Sequence, residues 1–304
     1  MRTVFANRAC GILYRFIRQN EGRYLLPANV CPVVPLTFQL AEVDFEFVDI
    51  NNDTLCIDEQ TCLSLAKTGL FQGLVFVHTY GTSYDPQPFF KLLKAFTPSF
   101  HLVDDKCLCA PSFSIPQTEA DLTLFSTGYA KYVDLGGGGF GFLQEGFDLS
   151  MELLRYDGND IELVYKEAFA KKEKIGRVPT GWLDAYVTDN YDDGYRQSVE
   201  REVERMKGHK NEINAIYRKL LCEKALHDDF NQWRYNFLVE DKEDVLKRLF
   251  DSGLFASSHY QPSSRLFVDE FFPNAERLYG QVVNLFNDKY ITKEQAMEVV
   301  RLVC

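Results

Sequence analysis

Lys131 sits in a short polar turn between two apolar runs, and four glycines, Gly136, Gly137, Gly138 and Gly139, follow it closely. An amine held between buried strands, beside backbone that carries no side chains, loses solvation. Desolvation lowers an ammonium pKa and makes the nitrogen a nucleophile. The plain alternative is an exposed lysine in a glycine-rich turn, and Lys131 alone does not decide between them. Other residues bear on the same place. Asp104 and Asp105 close the apolar run that begins at His101, and Ser126 closes the next apolar run. Asn7, Arg8, Ala9 and Cys10 lie between a first strand and a first helix, where unpaired backbone N–H groups attract phosphate.

A carboxylate, a lysine and a phosphate seat on one sheet are the parts that pyridoxal phosphate requires. The lysine forms the Schiff base, and the carboxylate keeps the pyridine nitrogen protonated so that the ring accepts electrons released at Cα. Each part has a plain alternative: Asp105 as a helix cap, Ser126 as a turn residue, Arg8 as a solvated side chain.

The elements that must position these groups alternate. Strands are expected at residues 2–6, 24–26, 45–50, 73–80, 101–104, 122–126 and 140–143. Helices are expected at residues 9–18, from Cys31-Pro32 onward, from Asp58 to about Lys67, and at 88–96. That order predicts an α/β fold, a mainly parallel sheet flanked by helices, with ligands beyond the C-terminal strand ends. After about residue 150 the character changes. Residues 196–221 read as an amphipathic helix whose apolar stripe is interrupted by Lys210. A strand at 233–239, helices at 244–250 and 275–286, and a last helix opened by a Thr292/Gln295 capping box complete a smaller α+β domain. The division is placed near residue 180, giving a large domain over 1–180 and a small one over 181–304.

The chain has 304 residues, with 33 basic against 44 acidic side chains and a formal net charge of −11. The acidic balance argues against nucleic acid as a partner, because phosphate neutralisation needs clustered Lys and Arg. No apolar run has the length of a membrane span and the N-terminus lacks a signal-peptide core, so a cytoplasmic protein is expected. Eight scattered cysteines give no disulfide framework and no zinc spacing, and reduced thiols are expected.

Together the motifs resemble the DegT/StrS family of pyridoxal-phosphate sugar aminotransferases, which have the aspartate-aminotransferase (fold type I) architecture. Phe45-Glu-Phe-Val-Asp-Ile with Asp53-Thr54 and Ile57-Asp58, and Val77-His-Thr-Tyr-Gly81 with Asp85, resemble two of its stretches. Val103-Asp104-Asp105 and Phe125-Ser126 with Lys131 and the glycine run resemble its core motifs. His259-Tyr260-x-Pro262, Phe272-Pro273 and Ala275-Glu276 resemble its tail. The resemblance implies that Asp105 meets the pyridine nitrogen, Ser126 the phosphate, and that Lys131 is the Schiff-base lysine. Asn7, Arg8 and Ala9 take the place of the family's phosphate turn, Arg8 standing where it has a threonine. Cys31 stands where an aromatic residue stacks on the ring. Leu108 stands where a polar residue reaches the cofactor's hydroxyl side.

The resemblance implies a homodimeric aminotransferase that passes an amino group from a donor such as glutamate to a keto sugar nucleotide, in polysaccharide or deoxysugar synthesis. Tyr129, Tyr132, His259, Tyr260 and Arg265 are the substrate-side candidates, with core or interface packing the equal alternative for the tyrosines. The family's N-terminal arm and its partner-facing segment are not recognisable, the latter between residues 176 and 205. Two other readings stay open. One is a degenerate family member that serves as a binding or assembly subunit. The other, more remote, is nucleotide binding by the glycine run, although no Lys-Ser/Thr follows it as in a P-loop.

Overall fold

The computed structural model describes residues 1–152, 154–190, 193–221 and 225–303. Residues 191 and 192, within the stretch expected to face a partner subunit, lie outside the described residues, as do Cys222 and Cys304. β1 (Arg2–Ala6), α1 (Ala9–Gln19), β2 (Tyr24–Pro27), α2 (Val33–Leu40), β3 (Phe45–Val48) and α3 (Glu59–Ala66) come first. β4 (Gly73–Val77), α4 (Gln87–Phe96), β5 (His101–Asp105), β6 (Leu122–Ser126) and β7 (Gly139–Leu143) follow. After α5 (Ile161–Lys171), β8 (Val187–Thr188) completes a sheet in the order β3-β2-β4-β5-β6-β7-β1-β8.

Strands β2 to β6 pair in parallel, and β7 runs antiparallel to both of its neighbours, β6 and β1. Helical crossovers from β2 to β5, and a helix-free loop from β5 to β6, return the chain to the same end of the sheet and so make parallel strands. Between β6 and β7 there is no helix. The chain instead turns back across the C-terminal end of β6, and that turn carries Lys131.

Alternation along each strand sends side chains to two cores. Tyr24, Leu26, Val75, Val103, Leu122 and Leu124 join α1 and α2 on one face. Leu25, Leu74, Phe76 and Leu102 join α3 and α4 on the other. Toward the β7 side that second face continues as a phenylalanine cluster of Phe5, Phe125, Phe140 and Phe142. Asp58 caps α3 as its spacing suggests, its carboxylate accepting the Thr61 N–H at 2.8 Å.

α6 (Asp193–Leu221) leads to a three-stranded antiparallel sheet, β10-β11-β9, of β9 (Tyr235–Leu238), β10 (Ala256–Ser257) and β11 (Val282–Leu285). Packed with α6, α7 (Lys242–Asp251) and α9 (Lys293–Val303), it forms a core of its own that includes Ile213, Tyr217, Leu249, Val283 and Val299, while α8 (Pro273–Gln281) sends Ala275 and Leu278 into the main core. Thr292 and Gln295 exchange both bonds of the capping box that opens α9.

Three expectations need correction. The helix expected over 275–286 stops at Gln281, and Val282–Leu285 is a central strand. Its β-branched pair Val282-Val283 is fully buried and pairs with β9 on one side, so sheet packing overrides the helical continuation. The strand expected to reach Tyr80 ends at Val77. Thr79–Gly81 is a 3-10 turn in which Tyr80 takes a positive φ of 56°. Lys210 does not interrupt the inward stripe of α6, because it is itself buried there. α5, β8 and β10 were not anticipated: they are short, or mixed in polarity, and carry no clear periodicity.

Candidate active site

Adjacent residues at the end of β5 part ways. Asp104 lies on the α3/α4 face, fully buried. It bonds His78 Nε2 at 2.8 Å and lies 3.3 Å from the Lys106 ammonium. Asp105 lies on the opposite face with Val103 and is nearly buried. One of its oxygens accepts the Cys107 N–H at 2.9 Å. Alternation thus selects Asp105 as the carboxylate that faces the Lys131 side of the sheet.

Lys131 and Asp105 flank the same thiols. Burial pushes the Cys31 thiol up, with the Lys131 ammonium opposing and the Asp105 carboxylate adding. Cys107 is raised by burial and by Asp105, again opposed by Lys131. Cys10, raised to about 11 chiefly by burial, also feels Arg8, Cys31 and Lys131. These cysteines keep part of their surface accessible although lost solvation dominates their ionisation. Groups both reachable and desolvated are those expected at a recess rather than in a closed core. Among the described residues no cluster of His, Cys, Asp and Glu is arranged to hold a metal ion.

A backbone corner forms where β6, β7 and β1 lie abreast. Ser126 and Ala6 both pair with Gly139, and Arg8 bridges to Gly138. Gly138 donates its N–H to the Asn7 carbonyl at 2.8 Å. Glycine is required at 139, since a Cβ there would stand 2.5 Å from the Ala9 nitrogen. Arg8 occupies the N-cap position of α1 without a side-chain cap, so no N-cap side chain competes with an anion there, although the Gly11 N–H donates to the Arg8 carbonyl at 2.9 Å.

Aromatic rings close the recess. Trp233 lies parallel to Tyr80 at 6.3 Å and to Tyr260 at 6.2 Å, with interplanar angles of 5° and 9°. Its indole N–H donates to the Ala130 carbonyl at 2.7 Å. His259 packs 5.7 Å from Trp233, and burial together with the charges of Arg234, Lys131 and Lys166 lowers its pKa to about 3. Tyr260 is raised by burial and feels Cys31 and Asp105.

No protein-family model and no curated protein sequence matches the chain. Solved structures match it over nearly its whole length. The sugar aminotransferase CalS13 from Micromonospora echinospora superposes with a TM-score of 0.69 at 18% identity, covering 99% of this chain and 86% of that one. DesI, solved in the presence of its TDP-sugar product, gives 0.73 at 18% identity, with 100% and 80% covered. A DegT DnrJ EryC1 StrS aminotransferase from Brucella abortus gives 0.66 at 14% identity, with 100% and 85% covered. The fold is that of the DegT/StrS sugar aminotransferases.

Within that DegT/StrS-type fold Asp105 and Lys131 both act electrostatically on Cys31, Lys131 acts also on His259, and Asp105 on Tyr260. Arg8, Ala9 and Ser126 form the neighbouring corner. Asn7 contributes its carbonyl there, while its side chain donates to Asp184 at 2.6 Å. Three candidates do not join the recess. Arg265 pairs with Glu276 and its guanidinium lies 5.7 Å from the Tyr279 ring. Tyr132 is buried with Val133 and Met206, so its hydrophobic face is used in packing. Leu108 is buried in the main core rather than presented to a ligand. Tyr129 stands 78% exposed. It lines a separate cavity of about 690 Å³ with Phe255, Phe286 and Tyr290. Sequence reasoning missed Cys107, Tyr80, Trp233 and Arg234. The one available signal was the positively charged Arg234 inside an apolar strand pattern.

Proposed function

We propose that this chain is a pyridoxal-phosphate-dependent aminotransferase that moves an amino group from an amino-acid donor such as glutamate to a keto sugar nucleotide. The observation that carries the reading is the placement of Asp105 and Lys131 around one recess, where both charges act on Cys31 and Cys107. The buried carboxylate, with one oxygen held by a backbone N–H, suits a protonated pyridine nitrogen. The uncapped start of α1 with Arg8 and Ser126 suits a phosphate. The residues present therefore fit the cofactor. When bound, it supplies an electron sink for the bond broken at the substrate's Cα.

The chain's own residues do the rest. Asp105 holds the proton on the ring nitrogen. Lys131 takes the proton from the donor's Cα and returns it on the other side of the transfer, as general base and then acid. Tyr80, Trp233 and Tyr260 wall the recess from solvent. The sugar-nucleotide substrate is supported by the DesI structure with its TDP-sugar product. The proposal includes a homodimer with sites at the subunit interface, a cytoplasmic location, and a division into large and small domains near residue 180. Sedimentation of the cofactor-loaded protein tests the first, and a monomer there would remove it.

A second reading, a non-catalytic binding or assembly subunit, is favoured by Cys31 and Leu108. Neither the stacking ring nor the polar contact of the family stands at those positions. Absorbance of the purified protein in excess pyridoxal phosphate separates the two. A yellow protein that passes nitrogen from labelled glutamate to a keto sugar nucleotide supports the enzyme. A protein that stays colourless supports the subunit.

A further inference from the structure

Lys210 lies on the inward face of α6 and is 3% exposed. Its ammonium donates to the Trp233 carbonyl and to Asn287 Oδ1, both at 2.7 Å. Both contacts are neutral amide oxygens, and among the described residues no counter-ion touches the buried charge. Burying an ammonium without a counter-ion is costly even when it is hydrogen-bonded.

What its hydrogen bonds organise brackets Lys131. On one side, the Trp233 held by Lys210 donates its indole N–H to the carbonyl of Ala130, the residue before Lys131. On the other, the Lys210 ammonium lies 5.0 Å from the ring centroid of Tyr132, the residue after Lys131. Asn287 bonds Asn214 at 2.9 Å and Asn214 bonds the Asn231 carbonyl at 2.9 Å, so the anchor is itself fixed to α6 and the approach to β9. A cavity of about 460 Å³ opens beside Tyr132, Lys210 and Asn214. Packing alone therefore does not back the turn on that side.

We infer that Lys210 is a positioning residue for Lys131, gripping the turn through Trp233 to Ala130 and directly at the ring of Tyr132. The role assigned to Lys131 rests on the proposed function; the grip does not. An apolar side chain at 210 would pack against Tyr132 but leave the Trp233 carbonyl and Asn287 Oδ1 without a donor. The grip also has two strengths. Burial pushes the Lys210 ammonium down to about 7, with Asp288 opposing and Arg234 adding. Tyr132 also faces it, and Glu204, Lys207 and Arg218 on its own helix with Asp228 opposite line the adjoining cavity. A neutral amine keeps both hydrogen bonds but loses the cation–π contact with Tyr132.

Hydrogen exchange of the cofactor-free protein, followed by mass spectrometry over residues 127–138, tests this. Lys210→Met and Trp233→Phe are each expected to raise exchange there about tenfold, the loss of roughly one hydrogen bond. β6, β7 and the exposed-lysine control Lys207→Met should stay as in the parent. In the parent, protection corrected for intrinsic rate should fall as pH rises through about 7. In Lys210→Met it should be flat. A folded Lys210→Met with parent-like exchange in this segment overturns the inference, and so does a rise spread evenly over the chain. If Lys210→Met does not fold, Trp233→Phe decides, and unchanged exchange there overturns it equally. Because the cofactor is absent from the measurement, a protein that never binds pyridoxal phosphate would remove the proposed function and leave this result readable.

Discussion

Asp104 and Asp105 are neighbours in the chain and face opposite sides of the sheet. One holds His78 and Lys106 beneath α3 and α4, and the other looks into the recess shared with Lys131. Their substitutions should therefore separate stability from chemistry. Asp104→Ala strips His78 of its carboxylate partner in a buried site and should cost about 1.5–3 kcal/mol of stability. Asp105→Ala should unfold near the parent's denaturant midpoint and still take up pyridoxal phosphate. Its turnover should fall by about two orders of magnitude or more, since the electron sink needs the protonated ring. Urea melts and single-turnover rates check both. Equal melts for the two variants would show that the two carboxylates are not divided in this way.

Lys131 should carry the cofactor covalently. Borohydride treatment of the loaded protein should fix pyridoxal phosphate to the peptide containing Lys131, and Lys131→Ala should stay colourless. Lys210 is the competing amine, since burial lowers its pKa to about 7. Its hydrogen bonds to Trp233 and Asn287 hold it under α6, so no label is expected on its peptide. Peptide mapping that found the label on Lys210 would reassign the site.

Arg8 and Gly139 meet at the start of α1 and should fail differently. Arg8→Ala removes a charge-assisted phosphate contact worth about 1.5–3 kcal/mol and should weaken cofactor binding about tenfold to hundredfold with the fold intact. Gly139→Ala drives a Cβ to within 2.5 Å of the Ala9 nitrogen. It should cost about 1–3 kcal/mol of stability as well as affinity, because backbone cannot yield as a side chain would. Titration with pyridoxal phosphate and thermal melts distinguish them. Parent-like affinity in Arg8→Ala would return Arg8 to the solvated surface.

The sheet was legible because its signals are local. β1 to β7 each announce themselves as apolar runs, and Asp105 and Ser126 stand at run ends, with Lys131 in the turn between two runs, so that none of them needs tertiary knowledge to find. β11 was not legible, since Val282-Val283 follows a helix without a break and becomes a strand only through β9 and β10. The same limit hid the aromatic wall. Trp233 meets Tyr80 and Tyr260 from distant parts of the chain, and no spacing relates them. Arg265 shows the converse: it lies beside matching motif residues, yet Glu276, one turn into α8, captures it. Lys210 read as a flaw in an apolar stripe because hydrophobic pattern cannot express a buried donor serving two carbonyl oxygens.

That buried lysine also fixes a sign in the pH dependence of stability. Lys210 has an ordinary pKa of 10.5 when unfolded and one lowered to about 7 in the folded protein. Below about pH 7 both states hold the proton, so the residue contributes no slope. Between about 7 and 10.5 the unfolded chain binds the proton and the folded chain does not, so stability must rise with pH across that window. Other lysines titrate oppositely at the upper end, Lys166 among them, raised by its hydrogen bond to Glu162. The measurable quantity is therefore the difference between the parent and Lys210→Met. Denaturant unfolding at pH 6.5 and pH 9 should show the parent gaining on the variant as pH increases, whichever is more stable at the start. A constant difference would mean that the folded protein keeps Lys210 charged, with water or Asp288 solvating it better than the two amide oxygens alone allow.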